Sequence, residues 1–318
     1  MPTTYAHYSF GEAIRSRLAG STRQAVDLHL DLYRLGLHGP DFLFYYKPMS
    51  PNKLTVLGHR IHKETGAAFL ERAVRIALGI GNAGPASASA GAQEQGGAAL
   101  QMSGAALAYL LGFACHYLLD SACHPLVRQA QARGLMHNLI ETEFDRVLME
   151  RDGRDPVSFR PTAHIAAAFA SSVSIEQDSD GGAKRSAGVA EVIAPLYEGI
   201  APLSEGITPD EVRAAFRSMR RYLDLFVAPC PLKRVFLLAT LRAVGQYEKL
   251  QGLLMRPSAD PACADSNAAL LAAFDNACME APSLIEQLAR LLQYVPSDPE
   301  TWFSTDDPFG ERFRRDFG

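Results

Sequence analysis

An all-α fold is predicted by three observations: apolar residues recur at helical intervals along most of the 318-residue chain, strand-type alternation is nearly absent, and the breaks carry proline, glycine or a capping residue. The periodicity marks helices over 9–19, 22–36, 66–80, 98–123, 136–150, 161–172, 186–199, 209–227, 231–253, 266–279 and 282–293. Pro51 and Pro85 lie in the breaks on either side of 66–80. The helix over 98–123 is expected to stop at His124, because Pro125 disfavours helical geometry in the residue before it. Thr208 precedes PDEVRAAF as an N-cap with Pro209 in the first turn, and Gly252 lies near the end of 231–253.

Two stretches read as flexible loops, GNAGPASASAGAQEQGGA at 81–98 and SSVSIEQDSDGGAKRSAG at 171–188. Their small and polar residues bury too little apolar surface to order a chain. The second loop divides an N-terminal helical domain, 1–172, from a C-terminal helical region, 188–318, expected to pack on the first. No internal repeat is present.

With 47% hydrophobic and 21% charged residues, the chain can bury one large core or two moderate ones. A formal charge of −4 gives no global attraction to phosphate backbones, so no nucleic-acid polymer is expected as a partner. The five cysteines show no CxxC pair, which suits a reducing compartment. The start MPTTYAHYSFGEAIRSRL lacks the apolar region of a secretion signal, and no run reaches the roughly 20 apolar residues of a transmembrane helix. The expected location is cytoplasmic.

The chemistry concentrates in GFACHYLLDSACHPLVRQAQARGLMHNLIETEFD, from Gly112 to Asp145. His116, Asp120 and His124 are spaced by four residues, so each advances about 40° around a helix and all three share one face. Where the helix stops at Pro125, His124 is expected to swing away toward a neighbouring ion. His137 and Glu141 repeat the spacing on the next helix. Unpaired, such groups cost several kcal/mol each in a dry core. The ordinary alternative pairs the carboxylates with Arg128, Arg133 or Arg146 and the histidines with backbone carbonyls. Imidazole mixed with carboxylate inside a segment as apolar as AYLLGFACHYLLD instead suits zinc. Upstream, TYAHYSFG supplies His7, GLHGPDFLFYYKP places Asp41 after a Gly-Pro turn, and LGHRIHKETG supplies His59 and His62.

This order of an early His, a Gly-Pro-Asp turn, a His, His-x-x-x-Asp, a His and His-x-x-x-Glu resembles the zinc-dependent phospholipase C family, whose fold is shared by the single-strand-specific zinc nucleases. The resemblance covers roughly residues 1–150 and is strongest across HYLLDSACHP and HNLIETEFD. It implies a multi-helix bundle of that type, to which this chain adds C-terminal helices. It further implies that Asp41, His62, His116 and Asp120 hold one zinc ion, that His124, His137 and Glu141 hold a second, and that Asp120 with His7 contributes to a third. His59 is the alternate to His62. Two zinc ions are expected, with the third set aside because the N-terminal Trp that completes its site in the secreted enzymes is missing. The Asp120-to-His124 spacing is also shorter than in those enzymes.

Metal-activated water attacking a phosphodiester follows as the expected reaction, with Asp41 orienting or deprotonating that water. The expected substrate is a phosphoester small molecule or a phospholipid. The aromatic run Phe42, Phe44, Tyr45 and Tyr46 offers either a wall for an acyl chain or plain core, and Lys47, Arg60 and Lys63 are the nearest cations in sequence. A metal-stabilised helical module that binds a partner without chemistry is the competing reading. The chain lacks GxSxG and GxxxxGK[ST], has no His-Asp dipeptide of the HD phosphohydrolases, and has no Glu-x-x-His pair of the di-iron bundles.

Overall fold

The computed structural model describes residues 4–79, 102–170, 172–175, 185–200, 206–293 and 302–317, and the expected loop at 81–98 lies outside them. The described chain is helical apart from one short hairpin. Helices α1 (Thr4–Arg17), α2 (Gly20–Leu28) and α3 (Leu30–Gly36) lead into a 3-10 turn at Asp41–Tyr45, followed by α4 (Lys53–Ile61) and α5 (Gly66–Ala77). Then come α6 (Gly104–Ala132), α7 (His137–Arg151) and α8 (Ala163–Ala168). Strands β1 (Ser172–Ile175) and β2 (Arg185–Gly188) pair antiparallel, with Ser172 opposite Gly188. The remainder is α9 (Val189–Ile193), α10 (Pro209–Phe226), α11 (Pro231–Ala243), α12 (Tyr247–Leu250), α13 (Ala264–Gln293) and α14 (Pro308–Phe313).

Helix α6 is the axis of the core. By length and composition it is apolar enough to cross a bilayer, but here it is sheathed by α1, α3 and α13. Its approach to α3 is set by glycine, since a Cβ on Gly36 would strike the Tyr109 carbonyl and one on Gly112 would strike the Tyr33 carbonyl. Aromatic rings fill the spaces around this crossing. Phe69 stacks on Phe113 with centroids 3.9 Å apart, while Phe10 and Phe144 present edges to Phe274 of α13. A second, smaller apolar cluster of Phe226, Ala228, Leu237, Leu241 and Leu254 underlies α11.

Several boundaries differ from the sequence expectation. Helix α6 continues through Pro125 to Ala132. Arg312, itself buried, donates to the Leu118 carbonyl and to Ser121 Oγ one turn ahead of the proline, and the C-terminal segment packs alongside, so tertiary contacts override the local preference. The two helices expected at 266–279 and 282–293 are one, with Pro282 inside α13. The stretch expected as helix over 22–36 breaks at His29 (φ −121°, ψ 42°), and the one over 231–253 stops at Ala243, followed by Gly245 at φ 67°. The ends of the second expected loop, 172–175 and 185–188, are the hairpin, too short a pairing to stand out from the polar composition around it. Helix α4, N-capped by Asn52, and α14, N-capped by Asp307, are additions of short amphipathic segments.

Candidate metal centre

His116 and Asp120 are buried on one face of α6, and because that helix does not stop at Pro125, His124 stays on the same face rather than swinging away. Its Nε2 lies 3.6 Å from Asp120 Oδ1 and 3.9 Å from Glu141 Oε1. The longer helix therefore places His124 between its own Asp120 and the α7 carboxylate. On α7, His137 Nε2 lies 2.9 Å from Glu141 Oε1.

Asp41 arrives from the other side. The turn that delivers it needs Gly39, whose φ is 48° and whose missing Cβ would fall on the His116 ring. Asp41 is 1% exposed, with Oδ1 3.0 Å from His62 Nε2 and Oδ2 3.9 Å from His116 Nε2. Helix α1 brings His7, which stacks on His116 at 4.1 Å and sets its Nε2 3.1 Å from Asp120 Oδ1. Asp120 Oδ2 is 3.1 Å from His116 Nε2. Two groups of ligand atoms each fall within 4.8 Å of one another: His7, Asp41 and His116, and His62, His116 and Asp120. His62, on the C-cap of α4, is the member of the His59/His62 pair that meets Asp41. His59 is exposed, against Phe44 at the rim.

The tautomers carry the chemical argument. His62 Nδ1 bonds the Gly58 carbonyl at 2.7 Å, His116 Nδ1 the Leu37 carbonyl at 3.2 Å and His124 Nδ1 the Phe317 carbonyl at 3.2 Å. His137 Nδ1 lies 3.2 Å from Gln131 Oε1. A carbonyl only accepts, so Nδ1 holds the proton in the first three, and each Nε2 turns a lone pair toward carboxylate oxygen. Buried His7 Nε2, His116 Nε2, Asp41 Oδ1 and Asp120 Oδ2 have no hydrogen-bond partner. Lone pair facing lone pair at these distances repels unless a positive charge lies between them. Protons fill that need in the metal-free chain. Burial lowers the affinity of His62 for a proton, but the facing Asp41 carboxylate more than reverses this and raises its pKa to about 9. Burial raises Asp120, and the combined fields of His124, His116 and His7 hold it well below the usual carboxylate range. The donor set fits a divalent cation with mixed nitrogen and oxygen preference, which is zinc among common metals.

The cluster opens on a cleft of about 330 Å³ lined by Asp41, Phe44, His59, His62, His124, His137 and Glu141. Phe42 and Tyr45, in contrast, are buried core, Phe42 stacking on Phe216 with centroids 4.4 Å apart. Of the cations near in sequence, Arg60 pairs with Glu64, while Lys47 lies over Tyr46.

Sequence reasoning missed three supports. Asp145, one turn beyond Glu141, accepts the backbone N–H groups of Tyr5 and Ala6 at 3.0 and 2.8 Å and so anchors the segment that carries His7. His38 and His164 meet through Nε2 atoms 2.7 Å apart behind the site, and burial holds both below the ordinary histidine range, His164 at about 4. The Phe317 carbonyl orients His124 from the far end of the chain. Of these, only the Asp145 spacing from Glu141 was visible as a pattern.

Residues 6–187 match the family model described as zinc dependent phospholipase C. The chain belongs to the zinc-dependent phospholipase C family. All eight candidate ligands, from His7 to Glu141, lie inside the matched segment. No curated protein and no solved structure matches the chain. Zinc is thus the metal that both the family and the donor chemistry support.

Proposed function

We propose that the chain is a zinc-dependent phosphoester hydrolase, in which Asp41, His62, His116 and Asp120 hold one ion and His124, His137 and Glu141, with Asp120 shared, hold a second. The observation that supports this most directly is the convergence of imidazole nitrogens and carboxylate oxygens, several of them buried and without hydrogen-bond partners, beside an open cleft lined by Asp41, His62, His124, His137 and Glu141. Zinc supplies a positive charge that acidifies water and offsets charge on a phosphoryl oxygen. Asp120 lies between His7, His116 and His124, which is where a carboxylate shared by two ions belongs. Asp41 sits at the cleft wall, buried, and orients the attacking water or takes its proton. The carbonyls of Gly58, Leu37 and Phe317 hold three imidazole rings in place.

The natural substrate is a phospholipid or a small phosphoester, since Phe44 supplies an apolar wall and no free cation lines the cleft among the described residues. The open cleft supports a hydrolase over a closed structural metal module. Five free cysteines support a reducing, cytoplasmic setting. The test is zinc content by elemental analysis together with hydrolysis of a chromogenic phosphodiester. Zinc in the purified chain and activity abolished by chelator, then restored by zinc, are expected. A metal-free chain, or one whose activity ignores chelation, overturns the reading.

A further inference from the structure

Helix α11 presents apolar residues on two faces, and only one of them is covered. Leu237 and Leu241 pack inward on Phe226, Ala228 and Leu254. On the opposite face Leu232, Val235 and Phe236 are 79%, 64% and 70% exposed, with Ala239 also exposed. Residues three, four and seven apart project from one side, so these side chains form a single apolar ridge about 10 Å long. Isolated exposed apolar residues need no explanation, but a contiguous ridge centred on an aromatic does.

Charge selects the occupant. Between Leu225 and Tyr247 the chain has three basic residues, Lys233, Arg234 and Arg242, and no acidic one, in a protein whose overall charge is −4. Lys233, which donates to the Val227 carbonyl, and Arg242, which lies over the Tyr247 ring, flank the ridge on its two sides, while Arg234 turns to the covered face and donates to the Met255 carbonyl. An apolar ridge flanked by cations on one helix is the pattern that rests in the headgroup layer of an anionic bilayer. Position agrees with this. Phe226, just under α11, lines a pocket with Val227, Leu253 and Met255, and that pocket reaches Tyr45, Asp145 and the candidate ligand Glu141.

We infer that α11 is a membrane-docking element, its Leu232–Val235–Phe236 ridge seating in an anionic phospholipid surface beside the metal centre. The docking itself does not depend on the hydrolase reading; only its role in presenting a bilayer substrate rests on that reading.

Sedimentation of the full chain with phosphatidylcholine vesicles, with and without phosphatidylserine, tests this. Binding is expected only when phosphatidylserine is present, falling as salt is raised. The double substitution Leu232→Ser with Phe236→Ser, at exposed positions, is expected to weaken that binding about tenfold. It should leave the melting curve and hydrolysis of a soluble phosphodiester unchanged. Arg242→Glu should weaken binding to the phosphatidylserine vesicles and reduce its salt dependence. Absence of vesicle binding by the wild-type chain overturns the inference. So does a wild-type dimer that the double substitution converts to monomer, which would assign the ridge to a second copy of the chain. Vesicle binding without any phosphodiester hydrolysis would keep the docking surface and reject the hydrolase reading instead.

Discussion

Helices α6 and α13 lie against each other and are alike in length, 29 and 30 residues, each with a proline inside; α13 is buried along one side, whereas α6 is buried all round from Ala105 to Asp120. Their buried faces are chemically opposite. That of α13 is Leu270, Phe274, Ala277, Leu284, Ile285 and Leu288, with its carboxylates Asp265, Asp275 and Glu280 exposed and Glu286 half-buried. That of α6 buries His116 and Asp120 and half-buries His124 among Phe113, Tyr117 and Leu119. A helix can therefore enter this core without ionisable groups, and α6 carries them at a desolvation cost that only a bound cation or trapped protons offset. Changes on the two helices should separate metal binding from packing.

The largest effect is expected at Asp120. Asp120→Asn removes the charge that faces His7, His116 and His124, so zinc content should fall by about two ions per chain and phosphodiester hydrolysis by at least about a hundredfold. Glu141→Gln should release only the ion held with His124 and His137. Elemental analysis of both purified variants decides: loss of the same single ion from each would mean that Asp120 is not shared. On α13, Phe274→Ala leaves a cavity against Phe10 and Phe144 and should cost about 3–5 kcal/mol in denaturant unfolding, with zinc stoichiometry intact. Zinc loss in that variant would show the two faces to be coupled.

Asp145 extends the comparison to α7, because it too is a buried carboxylate but carries no imidazole partner. Burial, aided by the nearby Glu141 charge, raises its pKa to about 7 in spite of two backbone N–H donors. An unfolded aspartate titrates near about 3.9, so folding disfavours the ionised form. In the chelated chain this costs nothing below about pH 4, grows as pH rises to about 7 and is level above, with an upper bound of about 4 kcal/mol. Asp145→Asn should flatten that slope. The check is the difference in urea midpoint between variant and parent at pH 5 and pH 8, in chelator; an equal difference at both values would place no titration at Asp145.

What was legible in the sequence follows from range. His116, Asp120, His137 and Glu141 stood out because spacing by four residues puts them on one helix face, and Asp41 because a Gly-Pro turn precedes it. His62 was not separable from His59, since three residues also share a helix face and only the fold shows which ring meets Asp41. The His38–His164 contact joins residues far apart in sequence and leaves no local trace. The helical class was legible from periodicity, whereas the merging of 266–279 with 282–293 depended on packing that outweighs a proline.

The smallest effect is expected at Pro125, where the local rule failed. Local preference ends α6 at His124, yet the helix runs on to Ala132 with Arg312 bonded to Leu118 and Ser121 and Phe317 bonded to His124. If those contacts hold the helix, the proline is a tolerated defect rather than the device that aims His124. Pro125→Ala then supplies a backbone N–H and a good helix former without moving the ring. Stability should rise by under about 1 kcal/mol, because the neighbours have already adapted to the proline. Zinc content and the metal-dependent melting shift should stay at parental values. Loss of one ion in this variant would reverse the argument, making the proline's distortion of α6 the reason that His124 faces Glu141 as well as Asp120.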